Sequence, residues 1–145
     1  MKFRFPLQKI VDLRGNEKTQ AEWLLSQALG KLKEEEQFLL ELNNEIANQQ
    51  EQLSRSSEVP ISIIDIQYLQ GYITHLEKQI ERKLTEVQDA RVNVEGKQSL
   101  LMERSIEEKV WTKAREKALN LFTAVSLKKE QQDMDEMALS RHSVK

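Results

Sequence analysis

Residues 66–101 read IQYLQGYITHLEKQIERKLTEVQDARVNVEGKQSLL, and the reading of this stretch decides the fold. Ile66, Ile73, Ile80, Val87, Val94 and Leu101 recur at every seventh position, and Leu69, Leu76 and Ala90 each follow a member of that series by three. Alternating steps of three and four keep apolar groups on one narrow stripe of a helix, which turns once per 3.6 residues. Nearly everything else in the stretch is Glu, Gln, Lys, Arg or Asp, so the stripe is too narrow for a helix buried in a globular core. With β-branched residues in one series and leucine or smaller in the other, it is a coiled-coil seam that needs a partner helix of the same kind.

A second seam lies upstream. Val11, Leu25, Leu32, Leu39, Ile46 and Leu53 form one heptad series, interrupted only by Lys18. The accompanying series, Leu7, Arg14, Ala21, Ala28, Glu35, Leu42 and Gln49, is mixed. Gly15 and Gly30 each weaken this helix by about 1 kcal/mol relative to Ala, too little to end it. Glu34, Glu35 and Glu36 read as a solvated face. Between the seams, Ser54-Arg-Ser-Ser-Glu-Val-Pro60 breaks the pattern, because Pro60 blocks helix at Val59 and the serines favour a turn. Ser62 or Asp65 can cap the helix that follows. The expected organisation is one coiled-coil domain over residues 1–145. It has a first helix at about 7–53, a turn at 54–61, a second helix at about 62–138 and a frayed tail at 139–145. Met1 to Pro6 is an extended basic-aromatic lead-in, which either touches a membrane surface or, as is more common, packs on the nearest helix end.

Facing residues of an antiparallel pair have positions with a constant sum. The two heptad phases permit a register that folds the chain inside the Ser56-Ser57-Glu58 break. It sets Ile46 against Leu69, Leu39 against Leu76, Leu25 against Ala90, Ala21 against Val94, Ala28 against Val87 and Leu42 against Ile73. Small against large is how facing layers fill space. Lys18 against Lys97 fits badly, and both heads must bend into water. The fold class is therefore all-α: a two-helix antiparallel coiled-coil hairpin about 65 to 70 Å long at 1.5 Å per residue. The same register sets Met1 level with Ala114, so the helix after about Arg115 overhangs. That overhang carries Val110, Ala114, Ala118, Leu121 and Val125 at helical spacing, with Trp111 and Phe122 beside them. A contiguous unpaired apolar set reads as a binding surface.

Composition narrows the function. Charged residues make up 32% of the 145 and aromatics 6%, with four Gly and two Pro, which suits long helices. With 22 basic and 24 acidic residues the formal charge is −2, so no nucleic-acid-binding field is expected. The absence of cysteine leaves no disulfide framework or thiolate site and suits a reducing cytoplasm. No apolar run approaches the roughly 20 residues that cross a bilayer, and the start lacks a signal-peptide core. His75 stands alone on its helix and His142 lies in the tail, so neither has the companions of a metal ligand or acid–base group. Asp133, Asp135 and Glu136 lack the rest of a calcium loop, and Gly30-Lys31 lacks the upstream glycine of a phosphate loop. A narrow two-helix rod offers no cavity from which water is excluded. The expectation is a protein that is not an enzyme, with no cofactor, no metal, no small-molecule substrate and no nucleic acid.

The opening Phe3-Arg4-Phe5-x-Leu7-x-Lys9-Ile10-x-x-Leu13-Arg14 resembles the start of the bacterial flagellar export family FliJ. So do the stretch from Val59 to Leu76, with Tyr68, Tyr72 and Leu76, and the late Met134-Asp135-Glu136-Met137-Ala138. Length and layout agree over essentially the whole chain. The resemblance implies an antiparallel coiled coil similar to the central stalk of rotary ATPases, in the cytoplasm at the inner face of the membrane beneath the flagellum. It implies three partners: the hexameric flagellar export ATPase, the membrane protein of the export gate, and export chaperones. On this reading Val110, Trp111, Leu121, Phe122, Val125, Met134 and Met137 meet the ATPase ring. Tyr72 and Leu76 match two positions of the family's gate-contacting patch, whereas Gln79 and Lys83 depart from it, and Leu76 also belongs to the seam. The alternative is a generic coiled-coil scaffold that forms a parallel homodimer. It must stack Lys18 on Lys18 and Lys83 on Lys83, and it leaves the turn without a purpose.

Overall fold

The computed structural model describes residues 2–58 and 60–143. Two helices account for nearly all of them: α1, Gln8–Arg55, of 48 residues, and α2, Ile63–Ser143, of 81. No strand occurs among the described residues. The chain divides into two compact units, one of Glu22–Leu100 and one of Met1–Ala21 with Leu101–Lys145.

Local chemistry explains the helix ends. Residues 2–5 are irregular, and Pro6 and Leu7 form a turn from which the Gln8 N–H donates to the Phe5 carbonyl at 3.0 Å. At the other end of α1, serine hydroxyls compete with the helical ladder: Ser57 Oγ donates to the Ser54 carbonyl at 2.8 Å, and Ser56 Oγ donates to that of Leu53. The Glu58 N–H then bonds the Arg55 carbonyl at 2.9 Å in a tighter turn. Val59, where Pro60 is expected to block helix, lies outside the described residues. Ser62 caps α2, its Oγ accepting from the Ile64 N–H at 3.2 Å, and Asp65 in the first turn complements the helix dipole. The helix α2 continues past Leu139, where fraying was expected, as far as Ser143. Arg141 and His142 suit its C-terminal dipole, and Met137, Ala138 and Leu139 suit a helix interior. Val144 and Lys145 lie outside the described residues.

In the unit Glu22–Leu100 the two helices run antiparallel across the turn. Ala28, Leu42, Ile73, Leu76, Val87, Ala90 and Val94 are buried, and Leu25, Leu32, Leu39, Ile46, Leu69 and Ile80 are half-buried. Both predicted heptad series therefore face inward. One charged residue joins them. Glu35 is only 7% exposed, so the solvated-face reading holds for Glu34 and Glu36 but not for their neighbour. The heptad series itself places Glu35 in the seam, one turn of seven after Ala28 and before Leu42.

The unit of Met1–Ala21 and Leu101–Lys145 is built from other material. Ala21 is its one buried residue among those described. Seam positions on α1 are filled by Val11, Arg14 and Lys18, and on α2 by Arg104, Glu108, Trp111, Arg115, Ala118 and Phe122, all half-buried. The Lys18 head does turn away from lysine, to within 3.6 Å of the Glu108 carboxylate. The partnered part of α2 also reaches further than the predicted register allows. Phe3 packs on Phe122 with ring centroids 5.5 Å apart, and Arg115 Nε donates to Gln8 Oε1 at 2.8 Å. Two effects account for this. An extended lead-in advances about 3.3 Å per residue against 1.5 Å in a helix, and helical side chains lean toward their own N-termini, which carries cross-helix contacts to higher numbers on both partners. The overhang accordingly begins after Phe122, not at Arg115.

Candidate functional site

Glu35, the one buried charged residue among those described, is the hub of a charge cluster in the seam. Its carboxylate accepts from Lys31 Nζ at 2.8 Å and from Lys83 Nζ at 2.7 Å. Lys83 Nζ also reaches Glu86 at 2.6 Å and lies 4.4 Å from the centroid of the Phe38 ring. Hydrogen bonds from Lys31 and then Lys83 pull the Glu35 carboxyl down to about 2, and the same bonds raise both lysines. These shifts keep Glu35 a carboxylate and Lys31 and Lys83 protonated near neutrality. The cluster is a device for pairing helices. Among the described residues no group of three or more His, Cys, Asp or Glu is arranged to hold a metal ion.

The residues proposed from sequence as contacts for an ATPase ring separate into two sets. Trp111 and Phe122 are half-buried and lie on the face of α2 that meets the N-terminal segment. Val110, Leu121, Val125, Met134 and Met137 are exposed. Sequence reasoning missed Met102, Ile106, Leu127 and Leu139, large apolar side chains that are also exposed on α2. Met102, Ile106 and Val110 recur at four-residue steps, a helical signal that was available in the sequence. Every described residue from Leu127 to His142 is exposed.

The other candidate surface lies at the hairpin turn. Tyr72 is partly exposed, with its hydroxyl 3.4 Å from Glu45 Oε1 and its ring stacked 6.4 Å from that of His75. Leu76 is 2% exposed. It is seam core, so the gate-contact role that the resemblance implied for it has no accessible side chain behind it. Around the turn the structure instead exposes Ile63, Ile64 and Tyr68 beside an open groove of about 580 Å³, whose lining includes Ile61, Ile66, Tyr68 and Leu69. No helix among the described residues is long and apolar enough to cross a membrane.

A helical coiled-coil protein with exposed apolar side chains along its second helix is the class that this fold and these surfaces define. The particular family follows from comparison. The profile of the flagellar FliJ protein family matches residues 2–145, and the chain belongs to that family. It is 23% identical over 144 residues to the flagellar FliJ protein of Bacillus subtilis, covering 99% of this chain and 98% of that one. Its fold is similar to the solved structure of a YscO homologue from Chlamydia trachomatis, with a TM-score of 0.56 at 18% identity over 99% of this chain and 97% of the other. Family membership supports a component of the flagellar type III export apparatus.

Proposed function

We propose that the chain acts as a stalk-like activator and assembly factor of the flagellar export ATPase ring, and as an adaptor to the export gate and export chaperones. The observation that carries the reading is the end of α2. Beyond Phe122 the helix continues to Ser143 with Val125, Leu127, Met134, Met137 and Leu139 exposed. Apolar groups on an extended helix need a partner to cover them, and insertion into a ring would do so. A ligand that binds only the assembled ring shifts subunits toward it by mass action and needs no chemistry of its own. Tyr72 and its neighbours at the turn are the place for a second partner such as the gate.

A chain ending at Ser126 tests this reading. It retains the Phe3–Phe122 contact and the whole apolar seam. Its helicity per residue and its melting should match the full chain. Stimulation of the ATPase should disappear at enzyme concentrations where ring assembly limits activity. Undiminished stimulation by the shortened chain would reject the stalk, and the surface around Tyr72 would then be the first alternative.

A further inference from the structure

The first 21 residues are attached to α2 in an unusual way for a coiled coil. Their cross-helix contacts include three ion pairs with partly exposed side chains, Arg14 to Glu107 at 3.7 Å, Lys18 to Glu108 at 3.6 Å and Arg104 to Glu17 at 3.6 Å, beside the Arg115–Gln8 hydrogen bond. The tighter pairs nearby, Arg14–Glu17 at 3.0 Å and Arg104–Glu107 at 3.1 Å, lie within one helix and do not join the two. Arg14 Nε is buried with no hydrogen-bond partner, which opposes this packing. Partly exposed ion pairs contribute little to stability, and salt screens them. At the far end the attachment is Phe3 on Phe122, with Arg115 placed 5.6 Å from the Phe3 ring centroid. Of residues 2–21 only Ala21 is buried, with Phe3, Phe5, Ile10 and Val11 half-buried, and an element that buries so little apolar surface belongs to the low end of local opening free energies.

What this segment covers gives the weakness a consequence. Trp111 lies on α2 between Glu107 and Arg115, both of which touch residues 8–14, and Phe122 lies under Phe3. Leu121 and Val125 are already exposed next to that face. Lifting the segment would join Trp111, Ala118 and Phe122 to them as one apolar surface.

We propose that residues 2–21 form a detachable arm that masks the Trp111–Phe122 face of α2 and regulates its access to a partner. The regulatory half rests on the ATPase-ring reading above. The arm's release does not. An apolar helix face uncovered in this way fits a partner that supplies apolar and basic groups, as the arm does with Phe3, Arg14 and Lys18.

Hydrogen exchange on the full chain tests the release. Raising salt from about 0.05 to about 0.5 M, which cuts the screening length severalfold, should speed exchange of amides 8–20 at least tenfold and leave amides 69–94 unchanged. Equal protection of both regions at both salts would overturn the arm. The mask is tested with Gln8→Cys and Arg115→Cys in one chain, joined by a short reducible bis-thiol linker. The chain has no other cysteine, so the bridge is unique. Bridging should abolish the salt effect on exchange and lower ATPase stimulation, and reduction should restore both. Stimulation unaffected by the bridge would overturn the mask. No stimulation even by the wild-type chain would reject the ATPase reading, while the exchange result would still decide the arm.

Discussion

Between Glu22 and Leu100 the seam positions hold Ala, Val, Leu and Ile around a single matched cluster, Glu35 with Lys31 and Lys83. In residues 8–21 and 101–122 the equivalent positions mix Arg14, Lys18, Arg104, Glu108 and Arg115 with Val11, Ala21, Trp111, Ala118 and Phe122. The heptad spacing is the same in both, and the physics is not. Burial of apolar surface contributes about 25 cal/mol per Å², whereas partly exposed ion pairs are typically worth about 0–1 kcal/mol each. Spacing alone therefore tells where two helices touch and says little of how firmly. The firm pairing lies beside the turn, where it closes the hairpin. The soft pairing lies beside the exposed end of α2, where a partner has to be admitted.

The widest gap between the two regions should appear when the same charge is placed in each seam. Ile73→Asp puts an unpaired carboxylate at a buried position and should cost about 3–5 kcal/mol, visible as a large drop in thermal melting by circular dichroism. Val11→Asp, at a half-buried position in the ionic region, should cost about 1 kcal/mol or less. Similar losses at the two sites would erase the distinction drawn here.

Acid should act on the seam of Glu22–Leu100 through Glu35. Its folded value of about 2 lies below the ordinary 4.5, so its contribution is fully present above about 4.5 and is lost as pH falls toward about 2. Melting of the hairpin should decline across that window, and Glu35→Gln should flatten the decline. An unchanged slope in the variant would mean that other carboxyl groups dominate. Glycine offers a smaller and opposite effect. A Cβ at Gly96 would meet nothing within 4 Å, and so would one at Gly15. Each change to Ala should stabilise its helix by about 0.5–1 kcal/mol. Gly96→Ala should raise the main melting transition, while Gly15→Ala should slow exchange in residues 8–20 and leave that transition nearly still. The smallest effect belongs to His75→Ala. The residue is exposed and only stacks on Tyr72, so stability should change by less than about 0.5 kcal/mol.

Much of this architecture was legible in the sequence, because heptad position is a geometric property that single residues report. Ile73, Leu76, Val87, Ala90 and Val94 were placed in the seam and are buried there. The serine turn and the Ser62 cap were readable for the same reason, since each acts on its own few residues. Glu35 was misjudged because its run of three glutamates outweighed its heptad position, and its partners, Lys31 and Lys83, become evident only once the helices are set side by side. The start of the overhang was misplaced because heptad arithmetic assumes helical rise throughout, and residues 2–5 are not helical. The apolar surface on α2 was half legible. Leu121 and Val125 were identified and are exposed, whereas the cover over Phe122 depends on Phe3, more than a hundred residues away.

The apolar seam of Glu22–Leu100 is made within one chain. The Glu35–Lys83 contact, carried one heptad along both helices, sets Leu42 near Leu76 where the sequence register set it against Ile73, and both leucines are buried. Leu42→Cys and Leu76→Cys in one chain, treated with a short bifunctional thiol reagent in dilute solution, provide the direct test. The hairpin predicts an internally bridged product with the mass of a single chain, at a yield independent of protein concentration. Bridged dimers with no internally bridged monomer would contradict it and restore the parallel homodimer.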